Sequence, residues 1–360
     1  MPRFVTARRQ IGFTLVELMI ALVIGALVVL AATAMVVASR GTYRTQDETT
    51  RLAESARFGL ELGNRLVRLA GYTNFGTPSY ADPNAVPPAY VADATWAAAP
   101  TPDAYSLDGP NIVGANNSKP GGAAGINGSD SLVVRFFGST TAASGGADGS
   151  ILDCAGTGVP EPKVDISVAS ADEANRRARA YNVLFVDNDV DGEPALRCQR
   201  QTFDASGVPS GLPGETQTLI RGVEDFQVLY EEAIPKVPPA CPAPPAGQPQ
   251  VCDLDVYAPA QLVWRTGIGG PNPVGNWGNI RAVRLSMLLR SNVGARPDPD
   301  LASATYPLFG PNYPFAASDP GATLSLATQS AVDRTRARRV VETTVFVRNR
   351  MREWTSINVN

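Results

Sequence analysis

Between Leu18 and Ala38 the chain runs 21 residues in which Thr33 is the one polar side chain. As a helix rising 1.5 Å per residue, this run is about 31 Å long, close to the roughly 30 Å hydrocarbon thickness of a bilayer. It predicts a membrane-spanning helix. Arg3, Arg8 and Arg9 precede it. By the positive-inside rule they place the N-terminus in the cytoplasm and everything after Arg40 outside it. Glu17 stands immediately before the run. An ionised side chain near the centre of a spanning helix costs roughly 2.5–3.5 kcal/mol on insertion scales, so a carboxylate at the entrance needs a partner. A secretory signal cleaved near Ala32–Met35, or a plain single-span anchor, has no use for it.

Proline placement divides the chain. Of 30 prolines, Pro2 alone lies in the first 77 residues, which leaves 29 for the remaining 283. A helix-permissive front therefore precedes a loop-rich, strand-bearing body. The chain has no histidine. That removes the usual general base, the Ser/His/Asp and Cys/His nucleophile systems and histidine-ligated metals. Formal net charge is −3, and without the three early arginines −3 − 3 = −6. Such an acidic body argues against dedicated nucleic-acid binding.

Helical periodicity continues beyond the apolar run. In "TQDETTRLAESARFGLELGNRLVRLAGY" the residues Leu52, Ala56, Leu60, Gly63, Leu66 or Val67, and Ala70 recur at three- and four-residue steps, one face of a helix. Arg51, Glu54, Arg57, Glu61, Arg65 and Arg68 fall largely outside that stripe. The expectation is one helix from Phe13 to Ala70, about 87 Å if unbroken, softened at Gly25, Gly41 and Gly59 and stopped by Gly71. Its apolar half (13–38) stays free for lipid or other subunits, and its amphipathic half (39–70) docks on a sheet. Residues 71–130 read as a loop-rich connection. Residues 131–360 read as a β-rich head with strands at Ser131–Phe137, Asn182–Val186, Ala195–Arg200, Phe226–Tyr230, Ala282–Arg290 and Val340–Arg348. In the fifth, Val283, Leu285, Met287 and Leu289 alternate with Arg284, Ser286, Leu288 and Arg290, one face inward and the other mostly wet. The expected class is α+β: a long helix packed on a single antiparallel sheet.

"GFTLVELMIALVIGALVVLAA" resembles the signal of type IV prepilins, with a basic leader (1–12) ending in Gly12, then Phe13, then a glutamate as fifth mature residue. The resemblance implies cleavage between Gly12 and Phe13 by a prepilin peptidase, followed by N-methylation of Phe13. Cleavage creates a cationic α-amine one helical turn from Glu17. The carboxylate can then neutralise that amine or a neighbouring subunit's, a register device of the kind buried ion pairs serve. "LELGNRLVRLAGY", "LIRGVEDFQVLYE", "IRAVRLSMLLRS" and "VETTVFVRNR" are similar to landmarks of the PilW family of minor pilins, in the same order. The related minor pseudopilin J of type II secretion shares the leader and is usually shorter. A surface adhesin carried on a pilin helix is the alternative of another class. The resemblance implies a bacterial inner-membrane protein that later enters a pilus, without enzymatic activity or cofactor. Its implied partners are other minor pilins, the major pilin, the prepilin peptidase and the inner-membrane assembly platform.

Three further constellations carry expectations. Cys154, Cys198, Cys241 and Cys252 all follow the span, and an even count in an oxidising compartment reads as two disulfides. Three pairings are possible. Cys154 with Cys198, and Cys241 with Cys252 around "CPAPPAGQPQVC", is the expected one. A four-thiolate zinc site would want Cys-x-x-Cys pairs, which are missing. "DNDVDGEPALRC" places Asp187, Asp189, Asp191 and Gly192 as in the first half of a calcium loop, with Glu193 as an extra ligand. Its twelfth position is Cys198 instead of glutamate, so an acidic hairpin turn is the plainer reading. "RTRARR" (334–339) lacks interleaved aromatics and reads as a solvated strand edge, not a DNA contact. Glu224 and Asp225, adjacent in a strand, point to opposite faces and form no acid/base pair.

Overall fold

The computed structural model describes residues 12, 14–72, 105, 110–140, 146–160, 180–200, 214–232, 257–263, 277–278, 280–294 and 303–349. Helix α1, Leu15–Leu69, is one unbroken element of 55 residues, roughly 82 Å long. Gly25 and Gly41 face open space and do not interrupt it, so the expected softening there is absent. Gly59 belongs to the docking face. A Cβ on it would stand 2.9 Å from both Ile220 Cδ1 and Met287 Cε, and one on Gly63 would stand 2.7 Å from Leu285 Cδ1. With Leu52, Ala56, Leu62, Leu66, Val67 and Ala70 buried beside them, the two glycines bring the helix backbone close to the sheet. Gly63→Leu is therefore expected to overpack this seam and cost about 1–3 kcal/mol. The readout is a lower urea midpoint of the full chain in detergent, with Gly41→Leu, which meets nothing, leaving the midpoint unchanged. At Ala70 the helix ends, and Gly71 turns out of it at φ +69°. The Gly71 N–H donates to the Arg135 carbonyl at 2.9 Å, which ties the exit to the head.

Five strands follow as an antiparallel meander in chain order: β1 (Ile112–Ala115), β2 (Ser131–Phe136), β3 (Ala180–Asn188), β4 (Pro194–Arg200) and β5 (Glu215–Arg221). A second antiparallel sheet has the order β11-β8-β6-β7, from β6 (Val223–Glu232), β7 (Tyr257–Pro259), β8 (Ile280–Gly294) and β11 (Arg336–Phe346). A two-stranded ribbon joins β9 (Thr305–Pro307) to β10 (Thr323–Ser325). The expectation of a single sheet is corrected here, and Gly222 is the physical reason. It separates β5 from β6 with φ +77°, its N–H donates to the Pro194 carbonyl at 2.8 Å, and its carbonyl accepts from Arg290 N at 2.7 Å. A Cβ there would lie 2.6 Å from the Arg290 carbonyl oxygen. One residue in a conformation natural to glycine thus passes the chain between sheets and bonds to both.

The wet face expected on β8 is also corrected. Val283, Leu285, Met287 and Leu289 are buried in the core that α1 and both sheets share. On the opposite face Ser286 and Leu288 are both 0 % exposed. The segment that follows β8 covers them. Ser286 Oγ donates to the Leu308 carbonyl at 2.7 Å, and the Arg284 guanidinium lies 5.6 Å from the centre of the Phe309 ring. Leu308, Phe309, Phe315, Leu324 and Leu326 are buried in the same cover.

Buried carboxylates hold the turns around β6. Asp130 accepts from Asn117 N and Val228 N, both at 3.0 Å, and Asp225 accepts from Ser129 Oγ at 3.0 Å and Gln227 Nε2 at 2.9 Å. Asp319 accepts from Asn116 Nδ2 at 2.9 Å and the Tyr313 hydroxyl at 2.6 Å. Burial first, and then the charge of Asp319, pushes the Asp130 carboxyl well above the ordinary carboxylate range; burial does the same to Asp225.

Candidate functional site

Thr14 begins the helix in an extended conformation, and its Oγ1 accepts the Glu17 N–H at 3.3 Å. A threonine three residues before a glutamate is a helix-start signature. It stands in "TLVE", and reading Glu17 for its charge alone misses it. Glu17 consequently occupies the first turn, where the unpaired N–H groups of the helix favour negative charge. Its carboxylate is exposed and has no cationic partner among the described residues. In the uncleaved chain the nitrogen of residue 13 is a peptide nitrogen, so the expected ammonium does not exist there. Phe13 itself lies outside the described residues, and Gly12 is exposed with nothing within 4 Å of a Cβ built on it.

Beyond this turn the helix surface changes character twice. From Leu15 to Val37 the large apolar side chains are 51–77 % exposed. Among the described residues α1 is the one helix long and apolar enough to cross a membrane, and none of its most apolar stretch is buried by the rest of the chain. A polar passage follows, in which the hydroxyls of Thr42, Thr45, Thr49 and Thr50 each donate to the carbonyl four residues back. Only from Leu52 does the helix dock. The free half and the docked half are thus separated by side chains that satisfy themselves on the helix.

The remaining sequence candidates fall elsewhere. Cys154 and Cys198 are joined, Cα atoms 6.4 Å apart, across 44 residues; Cys241 and Cys252 lie outside the described residues. The acidic turn closes with Asp189 N–H to the Glu193 carbonyl and Gly192 N–H to the Asp189 carbonyl, both at 2.9 Å. Its carboxylates face cations. Asp187 meets Lys119 at 2.8 Å, Asp189 and Asp191 flank Arg221, and Glu193 meets Arg290 at 2.8 Å and Arg336 at 2.7 Å. No group of three acidic, cysteine or histidine side chains among the described residues is arranged to hold a metal ion. Asp187, Asp189 and Asp191 therefore form an ion-paired hairpin turn where the spacing suggested half a calcium loop.

The expectation for the basic run is corrected. Arg336 and Arg338 are not a solvated edge. Arg338 grips Glu224 with Nε at 2.6 Å and Nη2 at 2.8 Å, and Arg290 reaches the same carboxylate at 3.0 Å. Asp333 completes the cluster, 3.0 Å from Arg290 and 3.3 Å from Arg336. Three arginines and three acids from the β3–β4 turn, β6, β8, the Ala331–Arg334 helix and β11 balance one another. Glu224 reaches into this cluster and Asp225 towards Ser129, and the register shift between Val223 and Asp225 interrupts the simple alternation expected of this pair.

Two family profiles match the chain. The one described as "Prokaryotic N-terminal methylation motif" covers residues 7–33, around Gly12, Phe13 and Glu17. The one described as "Type IV Pilus-assembly protein W" covers residues 183–349, from β3 past the end of β11. Residues 183–349 thus resemble PilW proteins, and residues 7–33 resemble the N-terminal methylation region of prepilins. No curated protein matches the chain. Among solved structures, a type IV-like pilin from Thermus thermophilus aligns at 13 % identity over 67 % of this chain and 86 % of that one, with a TM-score of 0.30.

Proposed function

We propose that this PilW-like protein is a minor pilin that helps to initiate a type IV pilus. It would be cut between Gly12 and Phe13 by the prepilin peptidase and methylated on Phe13. Before assembly it would stand in the bacterial inner membrane, N-terminus in the cytoplasm and head outside, handed by the assembly platform to other minor pilins and the major pilin. The observation that carries this reading is the division of α1. Its apolar half is left uncovered by the described residues of its own chain and headed by a first-turn glutamate, while its second half is anchored in the head. Such a helix exchanges lipid for neighbouring helices without disturbing the fold, and Glu17 selects the axial position at which a subunit's cationic amine is met. One core shared by α1 and both sheets favours this role over that of a separately folded adhesin displayed on a stalk.

Glu17→Ala tests it. The variant is expected to insert and to be processed normally, and to fall about tenfold or more in sheared pili, the equivalent of roughly 1.4 kcal/mol of lost inter-subunit contact. Normal abundance in the filament beside normal processing would refute the pairing role.

A further inference from the structure

Among the described residues, strand β11 is the last strand of its sheet and pairs with β8 alone. Val347 N–H donates to the Arg281 carbonyl at 2.8 Å, and the register continues through Val345↔Val283, Thr343↔Leu285 and Val341↔Met287. Bonded and unbonded pairs alternate in an antiparallel ladder, so the odd-numbered residues spend their backbone groups on β8. The N–H and C=O groups of Val340, Glu342, Thr344 and Phe346 point the other way and have no partner among the described residues. Nothing blunts this edge. It contains neither proline nor glycine, its one register shift lies before it, between Arg336 and Arg338, and Phe346 is 66 % exposed. A straight edge rich in β-branched residues is a template for an added strand.

Its charge selects the strand it would accept. Among the described residues, Arg339 and Arg348 are exposed and form no ion pair. The helix face beside β11 is marked by Asn64 Nδ2, 3.5 Å from Thr343 Oγ1, and by the Arg68 carbonyl, which accepts from Asn349 Nδ2 at 3.2 Å. Arg57, two turns before Asn64, shares that face, and the Arg57 and Arg68 guanidinium groups are likewise exposed and unpaired. Glu342 is already bound to Arg284 at 2.9 Å, so Glu61 is the unpaired acid of this border. We propose that the outer edge of β11, Val340–Phe346, takes up an extended, acidic, proline-free segment of a partner protein as an additional strand. The partner's carboxylates meet Arg57, Arg68, Arg339 and Arg348, and one of its apolar side chains covers Phe346. A second copy of this chain would bring the same arginines to the seam and be repelled. The inference is independent of Glu17 and of the helix-mediated assembly proposed above, and either can fail without the other.

The test uses the full chain in detergent and a fluorescent octapeptide of alternating valine and glutamate, read by anisotropy. Its control is the same peptide N-methylated at alternate residues, equal in charge but unable to extend a ladder. The acidic peptide is expected to bind at least about tenfold more tightly than its control. Thr344→Pro removes an N–H that β8 does not use, a place where an edge strand tolerates proline. It is expected to abolish that margin while the thermal midpoint holds. Arg339→Glu with Arg348→Glu, both on the surface, is expected to weaken binding similarly should the proline variant unfold. Equal binding of the two peptides, unchanged binding by either variant, or no binding up to about 1 mM overturns the proposal. So does a dimer of the chain that Thr344→Pro dissolves, since the occupant would then be a second copy.

Discussion

Glu224→Ala is expected to destabilise the head by about 3–5 kcal/mol, the cost of leaving a buried charge without its partner. Glu224 is 1 % exposed and the Arg338 side chain 0 %, so no water replaces the lost carboxylate. Arg338 would keep only carbonyl acceptors, those of Asp333 at 2.8 Å and Arg336 at 3.2 Å. Arg290 retains Glu193 and Asp333, so the loss concentrates at Arg338. Against a total stability of roughly 5–15 kcal/mol, this is a large effect for a single side chain. It is read from the urea midpoint of the full chain in detergent. Glu224→Met combined with Arg338→Met is expected to recover most of the loss, because a buried pair replaced whole by apolar groups leaves no orphan. A cost for Glu224→Ala below about 1 kcal/mol, the range of exposed ion pairs, would show that the cluster is wetter than its geometry indicates.

Removing the Cys154–Cys198 bond is the second large change. Closing a loop across 44 residues is worth about 4 kcal/mol on the chain-entropy account. For a domain of this size that is a fall in Tm of roughly 10 °C. The bond does local work as well. It fastens the 146–160 segment to β4, where Asp153 meets Arg200 at 2.7 Å and accepts the N–H groups of Ala155 and Thr157 at 2.8 and 2.9 Å. Arg65 of α1 donates to the Asp153 carbonyl at 3.2 Å, so loosening this segment also loosens the helix seam. Cys154→Ala with Cys198→Ala isolates the bond from Cys241 and Cys252, which a reductant does not. A Tm within about 2 °C of the parent would mean that the segment is held by its hydrogen bonds alone.

Legibility in the sequence followed the range of the interaction. β2, β3, β4, β6, β8 and β11 carry apolar runs or alternation of their own and were readable as strands. β1 (IVGA) and β5 (ETQTLIR) carry neither; they are strands because β2 and β4 offer them ladders, a condition set by distant chain. Gly25 and Gly59 look alike in sequence, yet one faces open space and the other the β8 side chains. The arginines of 334–339 read as surface because charge is usually solvated. What buries Arg338 is a glutamate 114 residues away. At the helix start the information was local, and even the overlooked Thr14 cap was present in four consecutive letters.

Taken alone, the amino-acid order determined a helix long and apolar enough to cross a membrane, its amphipathic continuation, the acid at its entrance and the α+β class, since each depends on hydrophobicity and spacing within a few turns of one element. Tertiary structure alone decided that the chain passes between two larger sheets at Gly222, that the second face of β8 is covered, that the charged turns neutralise one another, and that β11 keeps an open edge among the described residues. Those outcomes depend on which backbone groups and charges find partners across the fold, and pairing over such separations leaves no periodic trace in the chain that makes it.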